Sequence, residues 1–113
     1  VLDVTGTPGS YDCYNPKTHE RIQIKATTIR YDLTSFGPDS VWDVLYLLDF
    51  YRDGKFDGTY DVYKIPNDLI YGHQISKTQT FRDQQAQGRR PRFGIKQKII
   101  EKHNIKPIKT CQI

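Results

Sequence analysis

Methionine is missing from all 113 residues, tryptophan occurs once and cysteine twice. No apolar run approaches the roughly 20 residues of a membrane helix, and no secretory leader pattern is present, so the expectation is a soluble protein that makes no use of membrane. The two cysteines, Cys13 and Cys111, lie far apart and in no C-x-x-C spacing, which argues against zinc. They read as free thiols of a reducing compartment, with a disulfide between them the alternative. His19, His73 and His103 are equally scattered and fall in expected turns or at a helix end, so they read as surface residues rather than ligands or bases. With no Met even at position 1, an N-terminal segment is expected to precede this chain.

Apolar residues are also sparse, at 36% with a mean hydropathy of -0.69. Eight Tyr, five Phe and the single Trp offset this, because aromatic side chains bury large areas while keeping a polar edge wet. Residues 1–113 are therefore expected to form one small domain around one core. The net charge of +4 hides a strong polarity. Residues 1–71 hold 7 Lys+Arg against 11 Asp+Glu, whereas residues 72–113 hold 10 against 2. An acidic part that can gather metal ligands is joined to a basic part, 72–113, that can track phosphates.

The densest chemistry lies near the start. Ser10-Tyr11-Asp12-Cys13-Tyr14 and Arg21-Ile22-Gln23-Ile24-Lys25-Ala26 flank a polar turn from Asn15 to Glu20. A turn centred between Lys17 and Thr18 sets Asp12 opposite Gln23. Period two then places Lys25 on the face of Gln23 and sends Ile22, Ile24 and Ala26 to the other face, toward a core. A carboxylate, an amide oxygen and an ammonium on one patch suit a hard cation such as Mg²⁺ held beside a phosphodiester. Asp, Gln and Lys are common residues, and the same spacing occurs on solvated hairpin faces.

Asp12 followed by Gln23-x-Lys25 resembles the active-site hairpin of the PD-(D/E)XK nuclease superfamily, with Gly9-Ser10-Tyr11-Asp12 where that family often has Pro-Asp and Gln23 where it usually has an acid. Other segments extend the resemblance: Thr34-Ser35-Phe36-Gly37-Pro38, Val41-Trp42-Asp43, Tyr63-Lys64-Ile65-Pro66 and Arg89 to Phe93. Together they are most similar to the small type II restriction endonucleases, in particular those cutting GCNGC sites. The resemblance implies an α/β (α+β) fold with a mixed central sheet flanked by helices, and a homodimer acting on double-stranded DNA. It also implies Asp12, the Gln23 side chain and the Ile24 backbone carbonyl as Mg²⁺ ligands, with no zinc or organic cofactor, and Lys25 positioning water for attack that leaves a 5′-phosphate and a 3′-hydroxyl. A junction-resolving or repair nuclease of the same superfamily and a non-catalytic DNA-binding module are the alternatives.

Farther along, Thr27 to Asp43 reads as a loop around Gly37-Pro38, Val44 to Arg52 as a central strand and Thr59 to Ile65 as its neighbour. Of the acids there (Asp43, Asp49, Asp53, Asp57, Asp61), Asp43 is the remote candidate ligand. A short helix follows Pro66, capped by Asn67 or Asp68. Gly72 to Gln87 shows no clear pattern. Gly94 to His103 reads as a helix with Ile95, Ile99 and Ile100 on one stripe, Lys96, Lys98 and Lys102 off it, and Asn104 as its stop. Arg89, Arg90 and Arg92, with Lys96, Lys98 and the Ser35 hydroxyl, are the candidate DNA contacts, the arginines for phosphate or for guanine.

Overall fold

The computed structural model describes residues 12–51 and 57–112. Gly9 to Tyr11, part of the resemblance above, and Asp53 lie outside the described residues.

Seven strands and three short helices are described: β1 (Cys13–Asn15), β2 (Glu20–Thr27), β3 (Thr34–Ser35), β4 (Val44–Asp49), β5 (Thr59–Ile65), α1 (Asn67–Tyr71), α2 (Phe81–Ala86), β6 (Arg92–Phe93), a π-helical turn (Lys96–Glu101) and β7 (Lys109–Gln112). Five strands form a mixed sheet in the order β1-β2-β4-β5-β7, and β3 and β6 form a separate two-stranded ladder. The apolar β4 takes the middle position, as its sequence requires. It pairs parallel with β2 and antiparallel with β5. The expected mixed sheet is present, while the helices beside it are few and short.

The hairpin forms in the register the turn predicts, with Cys13 opposite Ile22 and Asn15 opposite Glu20. Which face carries the core is reversed. The parallel ladder sets Gln23 beside Leu45 and Lys25 beside Leu47, and these leucines belong to the main core with Phe36, Trp42, Ile65, Phe81, Phe93 and Ile95. On the other face only Cys13, Ile22 and Val44 form a small buried group. Ile24 is 37% exposed and Ala26 is exposed, contrary to the expectation that both enter a core. The physical reason is the partner strand: β2 inherits its inner face from β4, whose alternation of Leu45 and Leu47 outweighs its own.

Aromatic packing fixes the crossover between β2 and β4. Phe36 is fully buried, stacked on Trp42 at 5.4 Å and on Phe93 at 6.0 Å, with the edge of Phe81 at 5.0 Å. The Trp42 indole donates to Asn67 Oδ1 at 2.8 Å. Asn67 in turn donates to the Asp43 carbonyl at 2.6 Å, so it ties α1 to β4, and the helix starts at Pro66 without a side-chain cap. The unpatterned stretch contains α2, started by a capping box between Thr80 and Asp83. The two free cysteines sit on the two outermost strands, roughly 19 Å apart at the usual strand spacing, which rules out a disulfide between them.

Candidate active site

Asp12 lies immediately before β1. Its backbone N–H donates to the Ile22 carbonyl at 2.9 Å and its Oδ2 accepts from the Ile24 N–H at 2.7 Å. In an extended strand a residue's N–H and C=O point to the same side, so the Ile24 carbonyl is directed to the Asp12 edge. Gln23 is only 7% exposed, and among the described residues nothing hydrogen-bonds its side-chain amide. A buried amide left unpaired costs about 1–3 kcal/mol, so one without a partner among the described residues is suited to take up water or an ion. One carboxylate, one amide oxygen and one carbonyl are hard-oxygen groups of the kind that fit Mg²⁺. Among the described residues no three His, Cys, Asp or Glu side chains gather anywhere, at this patch included, so the set rests on one carboxylate.

Lys25 completes the patch. Its half-buried Nζ donates to the Ser35 carbonyl at 3.1 Å and lies 4.9 Å from the centre of the Phe36 ring. Burial pushes the ammonium below its usual pKa, the Asp12 carboxylate opposes this, and the Arg90 guanidinium adds to it. Charges just before β1, on β2 and before β6 therefore act at one place.

Asp43 does not join them. Its carboxylate is held by Arg21, through Nε at 3.1 Å, Nη2 at 3.0 Å and the backbone N–H at 2.8 Å, which lowers its pKa. The remote ligand is thus the partner of an arginine. Asp32, not singled out from the sequence, is buried and accepts from the Ile95 and Lys96 backbone N–H groups at 2.9 Å each. It docks the Lys96–Glu101 helix against the crossover, and Gly94 leaves the room, since a methyl there would meet the Asp32 carbonyl at 2.7 Å.

The candidate DNA contacts divide. Ser35 pairs with Arg92 across the β3–β6 ladder beside Lys25. Arg90 reaches Gly37, and Arg89 donates to Gln79 Oε1 at 2.7 Å. Lys98 is exposed near Lys102 and His73, and burial first, then the charges of Lys102, Lys98 and His103, hold His73 below its usual pKa. Against expectation, His73 is only partly exposed and packs on Phe93 at 4.3 Å. Lys96 turns inward, 14% exposed, into an ion pair with Asp49 at 3.1 Å, and in that state has no free charge for a phosphate. Gln85, also unanticipated, donates to the Gly37 and Ser40 carbonyls at 3.0 and 3.1 Å and clamps the turn beside Lys25. The Thr80-x-x-Asp83 capping pattern was the available signal for the helix that carries it.

Residues 3–102, which include every candidate above, match the family model described as Bsp6I restriction endonuclease. The chain belongs to that family. It is 41% identical over 111 residues to the type II restriction enzyme Bsp6I of Bacillus sp. (strain RFL6), covering 96% of this chain and 61% of that protein. The chain thus spans about three fifths of the length of the curated relative it matches. No solved structure matches it. The Bsp6I-family match stops before β7, so the site is built from the shared part of the sheet.

Proposed function

We propose that this chain carries the catalytic centre of a type II restriction endonuclease that hydrolyses phosphodiester bonds in a specific duplex DNA site. Membership of the Bsp6I family supports the activity, and the related enzyme is by name a type II restriction enzyme. The single observation that supports the placement is the buried Gln23 amide, without a partner among the described residues, on the face shared with Lys25 and at the strand edge occupied by Asp12.

Asp12, Gln23 Oε1 and the Ile24 carbonyl would hold Mg²⁺, which when bound stabilises charge on the attacked phosphate and acidifies water. Lys25 is anchored by one donor to Ser35, and its remaining protons can orient the attacking water in line with the leaving oxygen. Water oxygen bonds to phosphorus, the bond to the 3′ oxygen breaks, and the products are a 5′-phosphate and a 3′-hydroxyl. Cutting both strands calls for two such sites, hence a homodimer on a near-palindromic sequence, GCNGC by the resemblance. Arg92 and Lys98, exposed beside the site and on the last helix, supply backbone contacts. The enzyme would act on duplex DNA in the bacterial cytoplasm.

Full-length protein incubated with plasmid DNA and Mg²⁺ should yield discrete fragments. Lys25→Ala should lose about 10² to 10³ in single-turnover rate while still binding DNA. Selective cutting of four-way junctions would favour the repair-type nuclease instead, and full cleavage by Lys25→Ala would remove the site from this hairpin.

A further inference from the structure

Arg90 is set apart from its two neighbours by what fixes it. From Arg90 to Phe93 exposure alternates: Pro91 and Phe93 are buried, and Arg90 and Arg92 are exposed. The Pro91 carbonyl accepts from the Phe36 N–H at 3.0 Å and Ser35 pairs with Arg92, so the backbone is pinned to the crossover from Pro91 onward, immediately after Arg90. The crossover is itself rigid. Ser40 N–H donates to the Gly37 carbonyl at 3.1 Å, Gly37 N–H donates to Ser40 Oγ at 3.1 Å, and Gln85 holds both carbonyls.

On this fixed turn the Arg90 guanidinium settles against Gly37, where a methyl group would already stand 3.5 Å from Nη1. Two residues earlier in the same turn, the Lys25 ammonium rests on the Ser35 carbonyl. Two cations therefore flank Phe36 on three consecutive backbone positions. No acid pairs with Arg90 among the described residues, and Asp12 is the one carboxylate that acts on Lys25. Two cations set against one carboxylate leave a net positive charge, which an arriving anion would offset. A guanidinium can take two oxygens of one phosphate at once.

We infer that Arg90 contacts the attacked phosphate itself, as a second cation opposite Lys25, while Arg92 holds a neighbouring phosphate. The inference rests on the endonuclease reading above. It separates Arg90, whose contact strengthens as charge builds on the phosphate, from residues that bind DNA equally before and during reaction.

The test compares wild type, Arg90→Ala, Arg90→Lys, Arg92→Ala and Lys25→Ala as full-length proteins. Affinity for cognate duplex is measured with Ca²⁺ in place of Mg²⁺, and single-turnover cleavage is measured with Mg²⁺ at saturating protein. Arg90→Ala should lose at least about 100-fold in rate at saturation with little change in Kd, and Arg90→Lys should regain about tenfold of it. For Arg92→Ala the loss falls on Kd. Since Arg90 is exposed, the variants should keep their melting temperature, which is checked directly. Arg90→Ala cutting within threefold of wild type at saturation overturns the inference, as does Arg90→Lys no better than Arg90→Ala. Wild type that binds but never cuts overturns the endonuclease reading. Wild type that cuts, with Lys25→Ala dead and Arg90→Ala active, overturns the role of Arg90 alone.

Discussion

Replacing Gln23 by leucine should make the protein more stable and, at the same time, inactive. The amide is 7% exposed with no partner among the described residues, and its neighbour across the parallel ladder is the fully buried Leu45. Leaving the amide unpaired costs about 1–3 kcal/mol, which leucine removes. Reshaping the site for a branched side chain returns up to about 1.5 kcal/mol. The expected net gain is about 1 kcal/mol, or a rise of about 4 °C in Tm for a chain of this size. Thermal unfolding in EDTA reads it. Adding Mg²⁺ should then raise the Tm of wild type but not of Gln23→Leu, with a ceiling of about 2.7 kcal/mol at a hundred times Kd. Gln23→Glu should run the other way, less stable in EDTA because it buries a charge, with a larger gain from metal. A lower Tm for Gln23→Leu would mean that the amide already has a partner. An equal Mg²⁺ gain in Gln23→Leu and wild type would remove Gln23 from the ligand set.

Three further outcomes are expected. Removing Arg89 and Arg92 together should flatten the slope of log affinity against log salt by about 0.9 for each phosphate no longer neutralised, and an unchanged slope would make these arginines a solvated surface. Gly94→Ala drives a methyl to 2.7 Å from the Asp32 carbonyl and should destabilise by about 1–3 kcal/mol in denaturant unfolding, whereas wild-type stability would deny the close approach. Arg21 lowers the folded pKa of Asp43 below its ordinary 3.8, so the stabilisation is present above that value and is lost as pH falls through the folded pKa. The stability gap between wild type and Asp43→Asn should accordingly close on acidification below about pH 4, by a small amount because the pair is exposed, and a gap that widens would contradict the pairing.

What is legible in the chain is mostly local. The hairpin register follows from one turn, β5 runs over Thr59–Ile65 as its alternation predicts, and Asn104, at φ 53, ends the last helix in the left-handed conformation. Period two correctly divides β2 into two faces but carries no sign, and the sign comes from β4 through a parallel pairing that no turn residue announces. Lys96 shows the same limit. Its place on the helix wheel suggests solvent, yet Asp49, far away in sequence, draws it inward. Asp12, Gln23 and Lys25 are legible together because one hairpin carries them, while Arg90 needs the β3–β6 ladder to reach them. Lys109–Gln112 has no strand-like alternation and pairs only because β5 offers it an edge.

The β3–β6 ladder also sets a schedule. It joins Thr34 to Phe93, so a ribosome that has released the chain only as far as Ile65 has already made Asp12, Gln23, Lys25 and Trp42 but not Pro91, Arg92 and Phe93, which hold Ser35 and Phe36 from the other side. Contacts so distant in sequence form late, after the local hairpins. If the centre proposed above is the cutting one, it would stay incomplete until residues 91–93 fold back onto the crossover, and the hairpin by itself would carry no activity.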